Sequence, residues 1–536
     1  MAAASLFADL LRQARPRNPI VTILRAFPLS LRQLSRPLSS DLANSQGLAV
    51  EEESAAPVDD LRSRIFRLRF PKRSAIDALD RWVGEGRTVT ASELREITKV
   101  LRKSKRYKHA LEILTWMESN GCFQLSPSDH GAKLDLLTKV YTIAEAETYF
   151  QRLSSSASKR AAAFPLLHCY VKAKDLQKSE ALMYMLQNSG LAVDPHPFNE
   201  MMKLYIATGQ IQSVIKVIQY MKRSKIPLNV LSYNLWMNAC GMLYGIMSVE
   251  RVLMEMTNDK NVEVGWSTYC TLANIYTNAG NHKKAHDALA LAEEKLSARK
   301  RLGYYFIMTI YSSLNDKDGV LRMWQNSKKV PGRITCTNYM TAIHCLVKVG
   351  DIEAAEKMYQ TWESQCRNYD IRVSNVLLGA YMRNGWMDKA ESLHLHTLKK
   401  GGHPNYKTWE ILMEGWIKTR QMDRAVEAMK KGFSLLKGCQ WRPPVSILMP
   451  IAEYFEENGS VDESKWLIKV LRGSGLTTLP LYKLFLRTHI RAGQVVPDIL
   501  GMMGQDQIDL DEEILSFIDR MSSIKTVDDD CIQQKR

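Results

Sequence analysis

The sequence predicts an all-α fold, a solenoid of about twelve stacked helical hairpins. Two observations lead to this prediction. Each predicted hairpin follows the pattern of TAIHCLVKVGDIEAAEKMY, an apolar helix, a short break with Gly or a charge, and a second helix. A hairpin of this kind cannot bury its apolar face alone, so a fixed period indicates stacking. The second observation is a small or β-branched residue that recurs about every 35 positions, at Ala110, Ala146, Ser179, Val214, Val249, Ala285, Val320, Ala355, Ala390, Ala425 and Ser464.

The unit that begins at Cys336 shows why each part of the hairpin is expected. Tyr339, Ile343 and Leu346 form an apolar stripe at helical spacing. Gly350 then permits the left-handed backbone that ends a helix, and Asp351 can cap the next helix. The small residues of the second helix allow close approach to the first. We therefore interpret the Met and aromatic stripes of these units as core.

The units resemble pentatricopeptide repeats more than tetratricopeptide repeats. The resemblance is carried by VLSYNLWMNAC from Val230, WSTYCTLANIYTNAGNHKKAHDAL from Trp266, and IRVSNVLLGAYMRNGWMDKAESLHLHTLKKGGHPN from Ile371. It implies a right-handed superhelix of the purely helical subclass found in plant mitochondria. The predicted units begin at residues 91, 127, 160, 195, 230, 266, 301, 336, 371, 406, 445 and 479.

Composition limits the classes of protein that are possible. No stretch approaches about 18 apolar residues, so no membrane span is expected. The nine Cys contain no CxxC pair and are typical of reduced thiols in a non-oxidising compartment. The net charge of +16 is compatible with binding a polyanion.

The first 50 residues have the composition of an organelle transit peptide. They contain six Arg against Asp9 and Asp41, and they can form an amphipathic helix. We expect import into the mitochondrion first and the plastid second; the alternative is a basic tail without a targeting role. The predicted organisation is a disordered transit peptide at 1–50, a linker and N-terminal cap at 51–90, the solenoid at 91–500, and a capping helix with a disordered tail at 501–536.

Position 13 of the units, near the end of the first helix, is predicted to contact phosphate. Stacked units would bring equivalent positions into one stripe, along which cations can follow a phosphate backbone. Four units interrupt the stripe with Ala207, Met242, Asn278 and Ser313. The seven cations at position 13 are Lys103, Lys139, Lys172, Lys348, Arg383, Lys418 and Arg491.

The resemblance also implies which residues contact bases. In this family the fifth and last residues of a unit select one base through its Watson–Crick edge. Carried onto this chain, the pairs are Asn199 with Asn229, Asn234 with Gly265, and Asn375 with Asn405. Other units depart from the pattern, so we expect two or three readable bases at most. The departing pairs are Phe164 with Asp194, Cys270 with Lys300, Tyr305 with Thr335, Met340 with Asp370, and Glu410 with Gln440.

No catalytic constellation is expected. The histidine groups at 282–286 and 394–403 lack a convincing metal shell, and no deaminase HxE with a downstream CxxC is present. We expect no cofactor, no metal and no small-molecule substrate. The leading hypothesis is an organellar protein that binds single-stranded or structured RNA and acts by occupancy. Two alternatives remain open, a structural component of the mitochondrial ribosome and a protein–protein scaffold.

Overall fold

The computed structural model describes residues 60–68, 73–297, 301–366, 368–435 and 442–521. The predicted transit peptide and the part of the predicted C-terminal tail beyond residue 521 lie outside these residues. Within them the regular structure is helical and contains no strand. No helix in this part of the chain combines the length and apolarity that a membrane crossing would need.

The chain divides into two compact units, the first ending at Leu296 and the second beginning at Ser297. The first unit contains α1 Leu61–Arg67, α2 Ala75–Gly84, α3 Ala91–Lys103, α4 Tyr107–Ser119, α5 Pro127–Val140, α6 Ile143–Arg152, α7 Ser156–Ala173, α8 Leu176–Asn188, α9 Pro195–Ala207, α10 Ile211–Arg223, α11 Val230–Tyr244, α12 Ile246–Asn258, α13 Trp266–Asn278 and α14 His282–Glu294.

The second unit contains α15 Arg301–Ser313, α16 Lys317–Lys328, α17 Cys336–Lys348, α18 Ile352–Gln365, α19 Ile371–Arg383, α20 Met387–Lys399, α21 Tyr406–Lys418, α22 Met422–Ser434, α23 Val445–Glu457, α24 Val461–Gly473, α25 Leu479–Arg491 and α26 Ile499–Gln505. A further helical segment covers 512–521. Helix α26 crosses position 500, where the solenoid was predicted to end.

The predicted fold class is confirmed, because helical hairpins follow one another through both units. From α3 onward the odd-numbered helices are the first helices of the hairpins and the even-numbered helices are the second. First helices begin where the period places the unit starts, with one difference. Helix α7 begins at Ser156, four residues before position 160, because α6 ends early at Arg152 and leaves a short connection.

The periodic small residues are the points of closest packing within the hairpins. All eleven are at most 5% exposed, and eight of the nine Ala and Val residues are fully buried. Large side chains fill the space around them, such as Trp362, which is 2% exposed. Packing of this kind lets the second helix lie close against the first.

A hydrogen-bonded clamp joins successive hairpins at several interfaces. In the second unit, Glu356 of α18 accepts from the Tyr381 hydroxyl at 2.7 Å and from Lys389 Nζ at 3.1 Å. In the first unit, Glu147 accepts in the same way from Tyr170 and Lys178, and Glu250 from Tyr276 and Lys284. The clamps fix the register between neighbouring hairpins within each unit.

Candidate nucleic-acid interface

First helices of successive hairpins pack side by side and run parallel within each unit. Arg102 of α3 pairs with Asp135 of α5 at 2.9 Å, so the C-terminal halves of the two helices meet. In the second unit, Lys348 Nζ donates to Ser313 Oγ at 2.7 Å, and both residues occupy position 13. Equivalent positions therefore lie next to each other. Within each compact unit, we call the exposed surface formed by positions 2, 9 and 13 of these helices the first-helix face.

The seven position-13 cations are all exposed at the C-terminal ends of first helices. Three of them are held by the protein itself. Lys139 pairs with Asp135 on its own helix at 2.7 Å, Lys348 binds Ser313, and Arg491 pairs with Glu456 at 3.3 Å. No ion pair within the described ranges involves the other four, which are Lys103, Lys172, Arg383 and Lys418.

Two of the seven position-13 cations, both in the second compact unit, lower the pKa of the same histidine. Partial desolvation lowers the pKa of His344, and the positive charges of Arg383 and Lys348 lower it further. The two cations therefore share one neighbourhood on adjacent first helices. Protonation of His344 is therefore disfavoured beside Arg383 and Lys348.

The sequence did not reveal that a buried carboxylate at position 6 pairs with position-9 residues of the first-helix face. Glu200, only 3% exposed, accepts from His168 Nδ1 at 3.1 Å and from Lys203 Nζ at 2.6 Å. Burial opposes ionisation of Glu200, but these partners outweigh it and hold the pKa below its ordinary value. In the second unit, Glu457 occupies position 13 of α23 and is exposed. Both carboxylates weaken attraction for phosphate locally.

The structure brings Asn199 and Asn229 together. Asn199 Nδ2 donates to Asn229 Oδ1 at 3.1 Å, and Ser232 Oγ donates to Asn199 Oδ1 at 2.8 Å. Asn229 also accepts from the Ser232 backbone N–H at 3.0 Å. Asn199 is 1% exposed, whereas Asn229 is half-buried. The more accessible amide of the pair is therefore that of Asn229.

Asn375 and Asn405 repeat this arrangement in the second unit. Asn375 Nδ2 donates to Asn405 Oδ1 at 3.3 Å, and Thr408 Oγ1 donates to Asn375 Oδ1 at 3.0 Å. Thr408 N donates to Asn405 Oδ1 at 3.0 Å. We call each set of two Asn residues and the following hydroxyl an amide slot. The fifth residue of one first helix is thus hydrogen-bonded to the start of the next.

Asn234 lacks such a partner because Gly265 has no side chain. The buried Oδ1 of Asn234 makes no hydrogen bond with the described part of the chain. Thr268, the counterpart of Ser232 and Thr408, instead directs its hydroxyl to Met256 Sδ at 4.0 Å. The third predicted pair is therefore present as a single Asn whose buried Oδ1 has no partner.

The last residue of a unit also has a structural task that the sequence analysis did not assign. It is the N-cap of the next first helix in nearly every hairpin where both are described, and Asn229 and Asn405 each complete a capping box. The residues in this role are Ser126, Asp194, Asn229, Gly265, Thr335, Asp370, Asn405, Pro444 and Thr478.

The first hairpin has an ion pair where the amide slots have Asn. Arg95, the fifth residue of α3, pairs with Asp129 at 2.8 Å, and Asp129 also accepts from the Ser126 hydroxyl at 2.7 Å. Burial would raise the pKa of Asp129, but the bonds from Arg95 and Ser126 lower it overall. Across the described residues, no group of His, Cys, Asp and Glu has the arrangement of a metal site.

Comparison with known proteins identifies similar chains. A family profile described as a pentatricopeptide repeat domain matches residues 181–242, and one described as a PPR repeat matches 373–401. The Arabidopsis thaliana pentatricopeptide repeat-containing protein At5g27460 is 48% identical over 473 residues, covering 88% of this chain and 96% of that protein.

Two further Arabidopsis thaliana relatives carry a compartment in their names. The mitochondrial pentatricopeptide repeat-containing protein At5g09450 is 33% identical and covers 68% of this chain and 89% of its own. The mitochondrial protein At4g21705 is 29% identical, with coverages of 84% and 92%. Among solved structures, PPR10 in complex with an 18-nt psaJ RNA element is 14% identical, covers 89% of this chain and 85% of its own, and has a TM-score of 0.33.

Proposed function

The chain belongs to the pentatricopeptide repeat family, and we propose that it is a mitochondrial protein that binds single-stranded RNA on its first-helix face. The observation that carries this proposal is the group of exposed, unpaired position-13 cations, Lys103, Lys172, Arg383 and Lys418. Cations at one end of parallel helices can follow a phosphate backbone, and binding of this kind weakens steeply with salt.

The amide slots would give the bound RNA its register. An Asn side chain offers both a donor and an acceptor, which suits the edge of a base. Asn229 and Asn405 are the accessible members of their slots, whereas Asn199 and Asn375 are buried behind them. The buried residues would orient the accessible amides, and Asn234, whose Oδ1 is buried, would present its Nδ2 to a base. With so few slots, most of the affinity comes from phosphate contacts.

The proposed action requires no bond chemistry. RNA held in an extended conformation is protected from exonucleases, cannot form a hairpin, and can expose a start region to the ribosome. The protein would therefore support RNA stability, processing or translation by occupancy alone.

Charge reversal at position 13 tests the proposal. The variant Lys348→Glu, Arg383→Glu and Lys418→Glu should lose binding to labelled poly(U), with a salt slope reduced by about 0.7 for each phosphate contact removed. A matched control reverses Lys399, Lys400 and Lys469, which are exposed at the ends of second helices or on their outer surface in the same unit. Equal affinity and slope in the two triple variants would refute phosphate binding by position 13.

Localisation is tested separately. Mitochondrial relatives support import into that organelle, and the arginine-rich first 50 residues supply the expected signal. A fluorescent fusion of the full chain should enter mitochondria, and a fusion that lacks residues 1–50 should remain in the cytosol. Import into plastids would support the alternative compartment instead.

A second candidate function is a structural clamp within the mitochondrial ribosome. The observation that favours it is the small number of complete amide slots beside position-13 cations that the protein itself neutralises, such as Arg491 with Glu456. A clamp on folded RNA would need backbone contacts but little base selection. Co-migration with a ribosomal subunit after washing at high salt would support the clamp, whereas a free pool crosslinked to one transcript would support the RNA adaptor.

A further inference from the structure

The turn between the first and second helices contains cations in a strained backbone conformation. Position 15 of the units lies in this turn and has a left-handed backbone in most hairpins. Six units place glycine there, at Gly209, Gly280, Gly350, Gly385, Gly459 and Gly493. Three units place a cation there instead, Lys105 with φ 63°, Lys174 with φ 59° and Arg420 with φ 57°.

The same turn is built in both cases, so the cation is not needed for the geometry. Arg106 N donates to Leu101 O at 2.9 Å after Lys105, and Asp351 N donates to Leu346 O at 3.0 Å after Gly350. Glycine adopts the left-handed region freely, whereas a side chain there crowds the following carbonyl. Lys and Arg thus make the turn less stable than glycine would. Strain of this kind is concentrated at functional sites.

Each of the three strained cations has a position-13 cation two residues before it. The pairs are Lys103 with Lys105 and Lys172 with Lys174 in the first compact unit of the chain, and Lys418 with Arg420 in the second compact unit. All six side chains are exposed, and none forms an ion pair with another described residue. The dipole of the first helix favours a cation at its end, but it does not explain a second one placed at the expense of backbone strain.

We propose that these three pairs are two-cation clamps, each of which holds a phosphate of the RNA backbone. The inference rests on the proposed RNA binding and extends the first-helix face from position 13 to position 15. The two cations of a pair stand two residues apart at the end of one first helix, and a phosphate bound between them would offset their mutual repulsion. A phosphodiester supplies that anion, and the Arg420 guanidinium can bind its two oxygens at once. The clamps would give the strongest grip at α3, α7 and α21.

The test is the triple variant Lys105→Gly, Lys174→Gly and Arg420→Gly in the full chain. Its affinity for labelled poly(U) and poly(A) should fall at least about tenfold. The salt slope should also become shallower, by at most about 2 if all three phosphates are released, since each phosphate contributes about 0.7. Its melting temperature should be unchanged or higher, because glycine relieves the left-handed strain. A residue that only shaped the turn would not combine weaker binding with an equally stable fold.

Lys225 provides a matched control. It has φ 55°, is exposed, and follows the second helix α10 in the same kind of turn, with Ile226 N donating to Met221 O at 2.9 Å. Lys225→Gly removes one charge and one left-handed side chain, as each clamp variant does. The change lies at the end of a second helix, on the side of the hairpins opposite to the ends of the first helices. Its affinity and salt slope should equal those of the unmodified chain.

The outcomes separate the two proposals. If the unmodified chain binds RNA and the triple glycine variant binds with the same affinity and slope, the clamps are wrong while the proposed function stands. Equal losses for Lys225→Gly and for each single clamp variant would also overturn the clamps. If the unmodified chain binds neither RNA, the proposed function fails and the clamps fail with it. The variant that combines Lys105→Arg with Lys174→Arg keeps both charges. Binding by this variant at the affinity of the unmodified chain would support recognition of charge.

Discussion

The Nδ2 atom of Asn199 lies 3.1 Å from Oδ1 of Asn229 and donates a hydrogen bond to it. This bond joins the fifth residue of α9 to the residue that caps α11. Together with the hydroxyl of Ser232, it forms a closed polar network at a side chain that is 1% exposed. Asn234, at the same position one hairpin later, has a buried oxygen without a partner. The two residues therefore make opposite contributions to stability.

Alanine at these two positions should separate structure from function. Asn199→Ala removes the hydrogen bonds that Asn199 makes with Asn229 and Ser232 and empties a buried site, so it should lower the free energy of unfolding by about 1–3 kcal/mol. Asn234→Ala removes an unsatisfied amide and should leave that free energy unchanged or slightly higher. Urea denaturation of the full chain measures both. An equal loss in the two variants would contradict the arrangement of the slots.

Gly265→Asn should complete the third amide slot. Gly265 has an extended backbone with φ −109°, and a Cβ there meets nothing within 4 Å. An Asn side chain can cap α13 and accept from Asn234, as Asn229 does from Asn199. The gain should be about 0.5–1 kcal/mol in the free energy of unfolding. When Gly265→Asn is combined with Asn234→Ala, only the part of this gain that comes from capping α13 should remain. The full gain in the double variant would show that the slot had not formed.

The sequence predicts where most first helices begin, but it does not predict which of their side chains pair with each other. The period and the break residues place the starts of first helices, because a local pattern decides where a helix begins. The start of α7 at Ser156 was missed, since it depends on the early end of the preceding helix. Whether a cation is available depends on residues distant in the chain or on a side-chain rotamer. Arg491 is neutralised by Glu456 from the previous hairpin, and position 13 alone does not reveal this.

The hydrogen-bonded clamp that Glu356 forms with Tyr381 and Lys389 should stabilise the fold mainly through its tyrosine. Tyr381 is 7% exposed and donates its hydroxyl to Glu356, so Glu356→Ala leaves a buried donor unpaired and should cost about 1–2 kcal/mol. Lys389→Ala should cost less than about 0.5 kcal/mol, because its side chain is 56% exposed and such ion pairs are weak. Chemical denaturation compares them. A larger effect from Lys389 than from Glu356 would contradict this assignment.

Buried tyrosines should make the fold sensitive to alkali. Burial raises the pKa of Tyr205, which is 1% exposed, and the charge and hydrogen bond of Glu180 raise it further. Burial and a bond to Glu147 raise the pKa of Tyr170. Above the ordinary value near 10, the unfolded chain releases these protons while the folded chain retains them, so stability falls as pH rises.

Each such tyrosine should contribute up to about 1.4 kcal/mol per pH unit in that range. The measurement is the free energy of unfolding between pH 9 and pH 11, and Tyr205→Phe should reduce its slope. Tyr184 is a suitable control because its side chain is 42% exposed and its removal should not alter the slope. Stability that is independent of pH across this interval would show that the tyrosines ionise without unfolding.

Gly131 occupies the fifth position of α5, where Asn199 stands in α9, and its substitution tests how closely the first helices approach. A Cβ at Gly131 would lie 2.7 Å from the carbonyl oxygen of Ala161 in α7. Backbone cannot yield as a flexible side chain does, so Gly131→Ala should cost about 1–3 kcal/mol despite the higher helix propensity of alanine. Gly473→Ala in α24 meets nothing within 4 Å and should be neutral or stabilising. A Gly131→Ala variant more stable than the unmodified chain would show that α5 and α7 lie farther apart. The cations at the ends of these helices, Lys139 and Lys172, would then also be farther apart.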